Sequence, residues 1–319
     1  MKRITIKGVW EVIKNTFSCF INDKVTKLSG ALAYFTVFSM GPLLVVLISF
    51  CGLFLEKEAV EGQVYSVLRN FIGQDTALQL QHIIENAAIG GKSKIAAIIG
   101  VITLVIGATS IFAEIQDSIN IIWGIKPKPK KGLLKMLLNR LLSFSVIISL
   151  GFLLLVSLVI TGVIEALNNR LQAAYPDVTI VVFYIFNLGM TLFTSMMIFG
   201  VIFKVLPDAR IKWKDVTAGA FVTSLLFLLG KFLISFYISR SHVGSTYGTA
   251  GSLVILLLWV YYSSVILYFG AEFTKAYAIK YGSEILPNSY AVTMKQVEVE
   301  TGKASVQEKE QIVPPKKKV

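Results

Sequence analysis

Residues 31–55 read ALAYFTVFSMGPLLVVLISFCGLFL, a run of 25 residues that contains no charge. An α-helix rises 1.5 Å per residue, so about 20 apolar residues cross the roughly 30 Å hydrocarbon core of a bilayer. This run is therefore long enough to span a membrane. Around it, 55% of the 319 residues are hydrophobic, only 16% are charged, and the mean hydropathy is +0.69. Too little polar surface remains to cover a soluble domain of this size, which argues against an ordinary soluble enzyme.

Five further segments repeat this pattern. Four are free of charge, and the fifth contains a single charged residue, Lys231. The first 30 residues have no compact apolar region followed by a cleavage site, so we expect the first span to act as an uncleaved signal anchor. The sequence therefore predicts an all-α, polytopic membrane protein with a bundle of six transmembrane helices, at about 31–55, 95–113, 141–164, 178–203, 216–239 and 251–271.

The distribution of Lys and Arg predicts the orientation. Six spans place both termini on one side, and the segments on that side contain 24 basic and 12 acidic residues. The loops on the opposite side contain six basic and seven acidic residues. Because basic residues are retained on the cytoplasmic side, both termini are expected in the cytoplasm. The net charge of +12 is thereby explained by orientation, and no nucleic-acid partner is expected.

The segments outside the spans predict three further features. Residues 1–30 place Ile6, Trp10 and Phe17 at helical spacing, which indicates an interfacial amphipathic helix on the anionic cytoplasmic leaflet. The lipid bilayer, with anionic lipids on that face, is thus an expected partner. The 56–94 loop has the pattern of two short amphipathic periplasmic helices. After a transmembrane domain at 31–280, residues 281–319 are expected to form a disordered polar tail.

Residues suited to metal or nucleophile chemistry are few. The two His and two Cys residues are isolated, without an HxH, HExxH or CxxC arrangement. The Gly-rich stretch 244–251 lacks the Lys and the spacing of a phosphate-binding loop. We therefore expect no catalytic site, no cofactor and no metal, and the chain is not expected to be an enzyme.

Lys231 is the strongest single indication of a site. It lies about 12 Å from the outer end of its predicted helix, deeper than its side chain readily reaches to the interface. It shares one helical stripe with Thr217, Ser224 and Ser235, and such a stripe is expected to face the bundle interior. Two interpretations are equally weighted: a pathway for a solute or ion, or a structural lysine bound to carbonyls or a carboxylate.

Other polar residues within or beside the spans have an ordinary structural explanation as well. Glu114 and Asp117, with Asn120 beside them, either gate a cavity or mark the emergence of the helix into water. Asn187 lies in a polar group that interhelical hydrogen bonding explains. Gly41 and Pro42 are expected to kink the first span. The last-span aromatic residues, Tyr268 among them, have the pattern of packing or membrane-belt residues.

Four sets of segments together resemble the YihY/BrkB family of bacterial inner-membrane proteins, formerly labelled ribonuclease BN. The resemblance covers roughly residues 10–280 and is found in 30–35 (GALAYF) with 39–44 (SMGPLL), 113–120 (AEIQDSIN) with 122–124 (IWG), 204–207 (KVLP) with Trp213 and Gly219, and 247–248 (YG) with 258–261 (LWVY) and 270–272 (GAE). It implies about six spans in a bacterial plasma membrane and a transport or export role. It also implies that Glu114, Asp117, Asn120 and Glu272 occupy motif positions, so we add Glu272 to the candidate pathway.

Three functions from different classes are consistent with the sequence. The leading hypothesis is a transporter or exporter of a small polar or amphiphilic solute that the sequence does not identify. The alternative is a non-transporting envelope or lipid-associated scaffold protein, and the least favoured is a membrane-bound ribonuclease. The sequence leaves homo-oligomerisation open.

Overall fold

A computed structural model describes residues 5–51, 110–128, 176–240 and 251–294. Within them the chain is mostly helical, as predicted. In these ranges, three helices contain segments long and apolar enough to cross a membrane, at Leu188–Val205, Trp213–Ile234 and Leu256–Tyr281. The helices are α1 (Ile6–Asn22), α2 (Val25–Cys51), α3 (110–122), α4 (Pro176–Val205), α5 (Trp213–Arg240) and α6 (Gly251–Tyr281).

Some sequence predictions lie outside these residues. They are the span at 141–164, most of the span at 95–113 and the helices of the 56–94 loop. The count of six spans therefore stays a prediction. Gly41 and Pro42 fall inside α2, whose backbone is helical across both positions, and the expected kink also stays a prediction.

Helix α6 extends ten residues beyond its predicted end at 271 and ends at Tyr281. The charges at Glu272 and Lys275 suggested the end of a span, but a charged residue does not terminate a helix when neighbouring protein surrounds it. Glu272 is 1% exposed, and Lys275 bonds to the Ile122 carbonyl. The end of α6 is therefore protein-packed.

Helix α1 packs along this extension of α6. Its start is capped by Thr5, whose hydroxyl accepts a hydrogen bond from the Gly8 amide at 3.2 Å. Gly8 lets the Tyr281 side chain approach closely, because a Cβ would lie 1.7 Å from the Tyr281 hydroxyl oxygen and would displace it. An ion pair between Glu11 and Lys280 fixes the same contact. One face of α1 is thus buried against α6.

Two small antiparallel sheets close one end of the bundle, which we call the sheet end. Strand β1 (Ile125–Pro127) pairs with β4 (Ala291–Thr293), and β2 (Ala209–Arg210) pairs with β3 (Leu286–Pro287). These short strands accompany a mostly helical chain, and β3 and β4 lie in the first part of the segment that the sequence assigns to a polar tail. The sequence does not indicate them, since strands of two or three residues leave no recognisable apolar alternation.

A single glycine permits the β1–β4 connection. Gly124 has φ = +66°, a left-handed conformation that residues with a Cβ seldom adopt. Its carbonyl accepts a hydrogen bond from the Met294 amide, and a Cβ on Gly124 would lie 3.1 Å from the Met294 carbonyl oxygen. The main hydrophobic core lies between this sheet end and the helices, and its most deeply buried members include Ile119, Ile122, Phe203, Val216 and Tyr268.

Candidate functional site at the sheet end

Helix α6 carries a buried polar stripe. Ser264, Tyr268 and Glu272 follow one another at four-residue spacing, so they lie on one helical face, and each is at most 3% exposed. Ser264 donates to the Val260 carbonyl at 2.7 Å. The Tyr268 hydroxyl and both carboxylate oxygens of Glu272 have no hydrogen-bond partner among the described residues. Most buried polar side chains are hydrogen-bonded, so these unpaired groups mark a candidate site.

Helix α3 faces this stripe. The Ser118 hydroxyl donates to Glu114 Oε1 at 3.4 Å, and the Tyr268 phenol lies close to both residues. Burial raises the pKa of the half-buried Glu114 carboxyl, with a smaller lowering by Ser118 and a smaller raising by Asp117. Glu114, Ser118 and Tyr268 thus place a carboxyl, a hydroxyl and a phenol close together between α3 and α6.

Two contacts hold α3 against α6 at the level of Glu272. The Trp123 indole donates to the Ala271 carbonyl at 3.0 Å, and the Lys275 ammonium donates to the Ile122 carbonyl. Each of these hydrogen bonds joins a side chain of one segment to a backbone carbonyl of the other. The stripe is thus held beside α3 by direct hydrogen bonds.

Glu272 lies in a group of three charged residues. Lys275 Nζ is 3.8 Å from Glu272 Oε2 and 3.5 Å from Asp23 Oδ2, and Asp23 belongs to the turn between α1 and α2. The side chains of Lys275 and Asp23 are 23% and 27% exposed, whereas that of Glu272 is fully buried. Cys19 of α1 is nearby, and burial, then the Glu272 carboxylate, raise the pKa of its thiol.

An open pocket of about 400 Å³ reaches this group from the sheet end. It is bounded by the ends of α3 and α6 and by strand β3. Lys275 and Trp123 line it, together with Ser283, Glu284 and Leu286. Lys275 therefore stands between the pocket and the buried Glu272.

Asp208 forms a second buried polar group, outside the stripe. Its carboxylate accepts hydrogen bonds from Gln116 at 3.1 Å, Asn120 at 2.9 Å and Tyr290 at 2.8 Å. The backbone amide of Asp208 donates to Asn120 Oδ1, and its carbonyl accepts from the Asn288 amide, both at 2.9 Å. Burial and the Asp208 carboxylate raise the pKa of Tyr290 to about 12. Because the carboxylate is fully satisfied, this network joins α3, the α4–α5 loop and the strands after α6 into one structural unit.

The structure places four predicted residues at the sheet end. Asn120 is buried in the Asp208 network, Glu272 is buried beside Lys275, and Glu114 is half-buried opposite Tyr268. Asp117 is exposed, and its pKa is raised by the surrounding protein and then by Asp208. The helix therefore does not simply emerge into water at Glu114, since α3 continues to 122 against neighbouring elements. Among the described residues, no group of three His, Cys, Asp or Glu is placed to hold a metal ion.

The Lys231 stripe is divided. Ser224 is buried and donates to the Ala220 carbonyl, whereas Thr217 and Lys231 are exposed. The expectation that the stripe faces the interior as a unit is thus not met, because the α5 face that packs on α6 is the neighbouring one, formed by Gly219, Thr223 and Gly230. Ser235 lies in α5 and Asn187 in α4, and their side chains are outside the described part of the chain.

Sequence reasoning missed Tyr268, Lys275 and Asp208 as site residues. Tyr268 and Glu272 form a polar pair at i and i+4 in an apolar helix, a signal that was available in the sequence. Asp208 follows the KVLP motif but offers no local signal, because its partner Asn120 lies 88 residues away.

Comparisons with known proteins agree with the motif resemblance. A family model described as "Virulence factor BrkB" matches residues 16–292. A protein of Pseudoalteromonas atlantica named "UPF0761 membrane protein" is 28% identical over 269 residues, covering 83% of this chain and 85% of the relative. A protein of Vibrio atlanticus with the same name is 28% identical over 263 residues, covering 80% and 78% of the two chains. No solved structure matches the chain.

Proposed function

This chain belongs to the virulence factor BrkB family of membrane proteins, and from that premise we propose that it transports a small polar or amphiphilic solute across the bacterial plasma membrane. The observation that carries the proposal is the buried stripe of α6, in which the Tyr268 hydroxyl and the Glu272 carboxylate have no hydrogen-bond partner within the described residues. A solute that passes between α3 and α6 would find hydrogen-bonding groups there.

The energetic cost of this stripe supports a role beyond packing. A buried polar group without a partner costs about 1–3 kcal/mol, and a carboxylate costs more. Scaffold function needs a stable bundle, and an apolar residue at either position would provide it at lower cost. Polar residues within membrane helices usually face a cavity or a pathway. We therefore assign Glu114, Ser118, Tyr268 and Glu272 to the pathway.

The proposal includes an orientation, with the sheet end in the cytoplasm. The basic residues near it support this, among them Lys126, Lys128, Lys212 and Lys214. Helix α1 would then lie on the cytoplasmic leaflet. Its apolar side chains remain exposed on the face beside the one packed on α6, notably Ile6 at 91% and Trp10 at 68%. Lys7 and Lys14 lie on a third face, where they can approach anionic lipid headgroups.

The decisive experiment measures whether the stripe is reached by water from both sides of the membrane. Ser118→Cys is made in a protein whose Cys19 and Cys51 are replaced by serine. A charged, membrane-impermeant thiol reagent is then applied to right-side-out and inverted vesicles. We expect modification in both preparations, because a transporter exposes its pathway alternately. Ser29→Cys is the matched control: Ser29 is fully buried and donates to the Val25 carbonyl within its own helix.

The result separates the two main hypotheses. Modification of Ser118→Cys from both sides, with Ser29→Cys unreactive, supports transport. Modification from one side only, or from neither, contradicts the transport pathway and favours a scaffold that holds α3 and α6 together. A non-enzymatic role is part of the proposal, and RNA cleavage by the purified protein that is lost in Glu114→Gln would contradict it.

A further inference from the structure

We infer that Glu272 binds a monovalent cation, a proton or an alkali-metal ion, and exchanges it with the solution at the sheet end past Lys275. The inference rests on the proposed function for its biological meaning, since such a cation would be the coupling ion of transport. The cation site itself is argued only from the surroundings of Glu272 and does not require that the protein transports a solute.

The first argument is the balance of charge. Among the described residues, the groups that face Glu272 are Asp23 from the α1–α2 turn, Lys275 from α6 itself and the Cys19 thiol from α1. Helix α3 contributes the Ile122 carbonyl, which is bonded to Lys275. Within this part of the chain, two carboxylates thus share one ammonium group, and one negative charge of the pair has no positive partner. A single bound positive charge would neutralise it.

The second argument is that Lys275 is already occupied. Its ammonium donates to the Ile122 carbonyl and lies closer to Asp23 than to Glu272. The 3.8 Å between Lys275 Nζ and Glu272 Oε2 is too long for a hydrogen bond. Both oxygens of Glu272 therefore remain free of hydrogen bonds within the described residues, although the residue is 1% exposed. A buried carboxylate that lacks partners is the feature a cation would complete.

The third argument is access. The sheet-end pocket brings solution to Lys275, whose side chain is 23% exposed, while the Glu272 side chain behind it is fully buried. A small displacement of Lys275 into the pocket would open Glu272 to the solution. Because Lys275 carries the same charge as the incoming cation, the two would compete for the carboxylate. Lys275 is thus a positioning residue that controls occupancy.

The test labels Glu272 directly and requires no transport assay. Dicyclohexylcarbodiimide enters apolar protein interiors and adds covalently to protonated carboxyl groups. Purified full-length protein is treated in choline buffer free of alkali ions at about pH 6 and about pH 8. The extent of labelling at Glu272 is read by peptide mass spectrometry. We expect Glu272 to be labelled, and more strongly at about pH 6.

Added alkali salts distinguish the two sources of positive charge. If sodium or potassium occupies the site, a saturating concentration lowers labelling about tenfold or more. If the cation is a proton alone, these salts leave labelling unchanged. Either outcome supports the inference. Glu272→Gln removes the label and confirms the assignment of the peptide.

Two variants make the test decisive. Lys275→Met removes the competing charge and is expected to increase labelling several-fold, whereas Glu11→Gln, which removes a carboxyl of α1 that pairs with Lys280 outside the pathway, leaves it unchanged. Labelling that occurs only in Lys275→Met overturns the inference, because Lys275 alone then satisfies Glu272. Absence of labelling in both proteins overturns it as well. If Glu272 is labelled while Ser118→Cys is not reached from both sides, the cation site stands and the transport proposal fails.

Discussion

Thr223 of α5 packs directly against Gly270 of α6. A Cβ on Gly270 would lie 1.9 Å from Thr223 Oγ1, so no larger residue fits. The same contact recurs with the helices exchanged, because a Cβ on Gly219 of α5 would lie 1.8 Å from Thr274 Oγ1 of α6. Each threonine hydroxyl donates at 2.7 Å to the carbonyl of the glycine four residues earlier in its own helix. Two reciprocal Gly–Thr pairs thus bring the helices together, and neither hydroxyl is left unpaired.

This packing predicts that Gly270→Ala destabilises the protein. The added methyl group collides with Thr223, and overpacking of this kind costs about 1–3 kcal/mol. Gly189→Ala in α4 is the matched control, since no atom lies within 4 Å of its Cβ position. There we expect a gain of about 0.5–1 kcal/mol from the helix preference of alanine. Thermal unfolding in detergent measures both.

A second variant shows whether the collision is the cause. Thr223→Ala combined with Gly270→Ala removes Oγ1 and Cγ2 of Thr223 and leaves its Cβ at 2.9 Å, so most of the collision is relieved. The double variant is expected to be more stable than the sum of the single effects by about 1 kcal/mol. Strict additivity would contradict a direct Thr223–Gly270 contact.

The Asp208 network predicts graded losses of stability. Asp208→Asn replaces one acceptor oxygen by a donor that faces other donors, which is expected to cost about 2–3 kcal/mol. Tyr290→Phe removes the hydrogen bond to Asp208 and the longer one from Asn288 Nδ2, and it is expected to cost about 1 kcal/mol. Hydrogen exchange of the Asn288 amide, which donates to the Asp208 carbonyl, reports the same loss locally. Equal effects of the two substitutions would show that Asp208 does not hold the network.

Asp117 predicts a pH dependence of stability with a definite sign. Its raised pKa means that the folded protein binds a proton more tightly than the unfolded chain, whose Asp titrates near about pH 3.9. The protonated Asp117 carboxyl is therefore the form that the fold tolerates better. The folded protein loses stability as the pH rises from the pKa of Asp117 in the unfolded chain to its higher pKa in the folded protein. Asp117→Asn should raise the melting temperature at about pH 7.5 and leave it unchanged well below about pH 3.9.

Glu11 provides the opposite control. The hydrogen bond and charge of Lys280 lower the pKa of its carboxyl. The ionised Glu11 carboxyl therefore stabilises the fold at neutral pH, and this stabilisation is lost as the pH falls through the pKa of Glu11 in the folded protein. Glu11→Gln should lower the melting temperature at about pH 7.5 and have no effect in acid. If both substitutions changed the melting temperature at about pH 7.5 in the same direction, the opposite pKa shifts of Asp117 and Glu11 would be contradicted.

The orientation predicts a cytoplasmic C-terminus. Green fluorescent protein fused after Val319 should fluoresce, whereas alkaline phosphatase fused at the same position should be inactive, because each reporter matures on only one side of the membrane. Active phosphatase would refute the assignment of the sheet end to the cytoplasm.

The sequence indicates Lys231 as a candidate pathway residue, whereas in the structure Lys231 is exposed and Ser224 of the same stripe is buried. If it belongs to the pathway, Lys231→Ala should abolish flux of an identified substrate in proteoliposomes, while Lys24→Ala, an exposed lysine of the α1–α2 turn, should not. Normal flux through Lys231→Ala would rule out the pathway role.

The sequence predicted what depends on local composition. A long charge-free run is itself the property that places a helix in a bilayer, so the helical membrane fold followed directly. The motif order predicted the family, which the match over residues 16–292 confirms. The site was harder to predict from the sequence, because the burial of Glu272 depends on α3 and on Asp23, which are distant from it in the chain. Tyr268 was interpreted as a packing aromatic, since only the position of Ser118 and Glu114 shows what its hydroxyl faces.

The two small sheets have a consequence for biosynthesis. Strands β1 and β2 are translated well before their partners β3 and β4, which lie at residues 286–293. The sheet end can therefore close only after residue 293 has been translated and has left the ribosome. Until then β1 and β2 keep unpaired strand edges, and the Asp208 network lacks its contacts to Tyr290 and to the Asn288 amide. The sheet end is thus completed only when its last strand, β4, has been made.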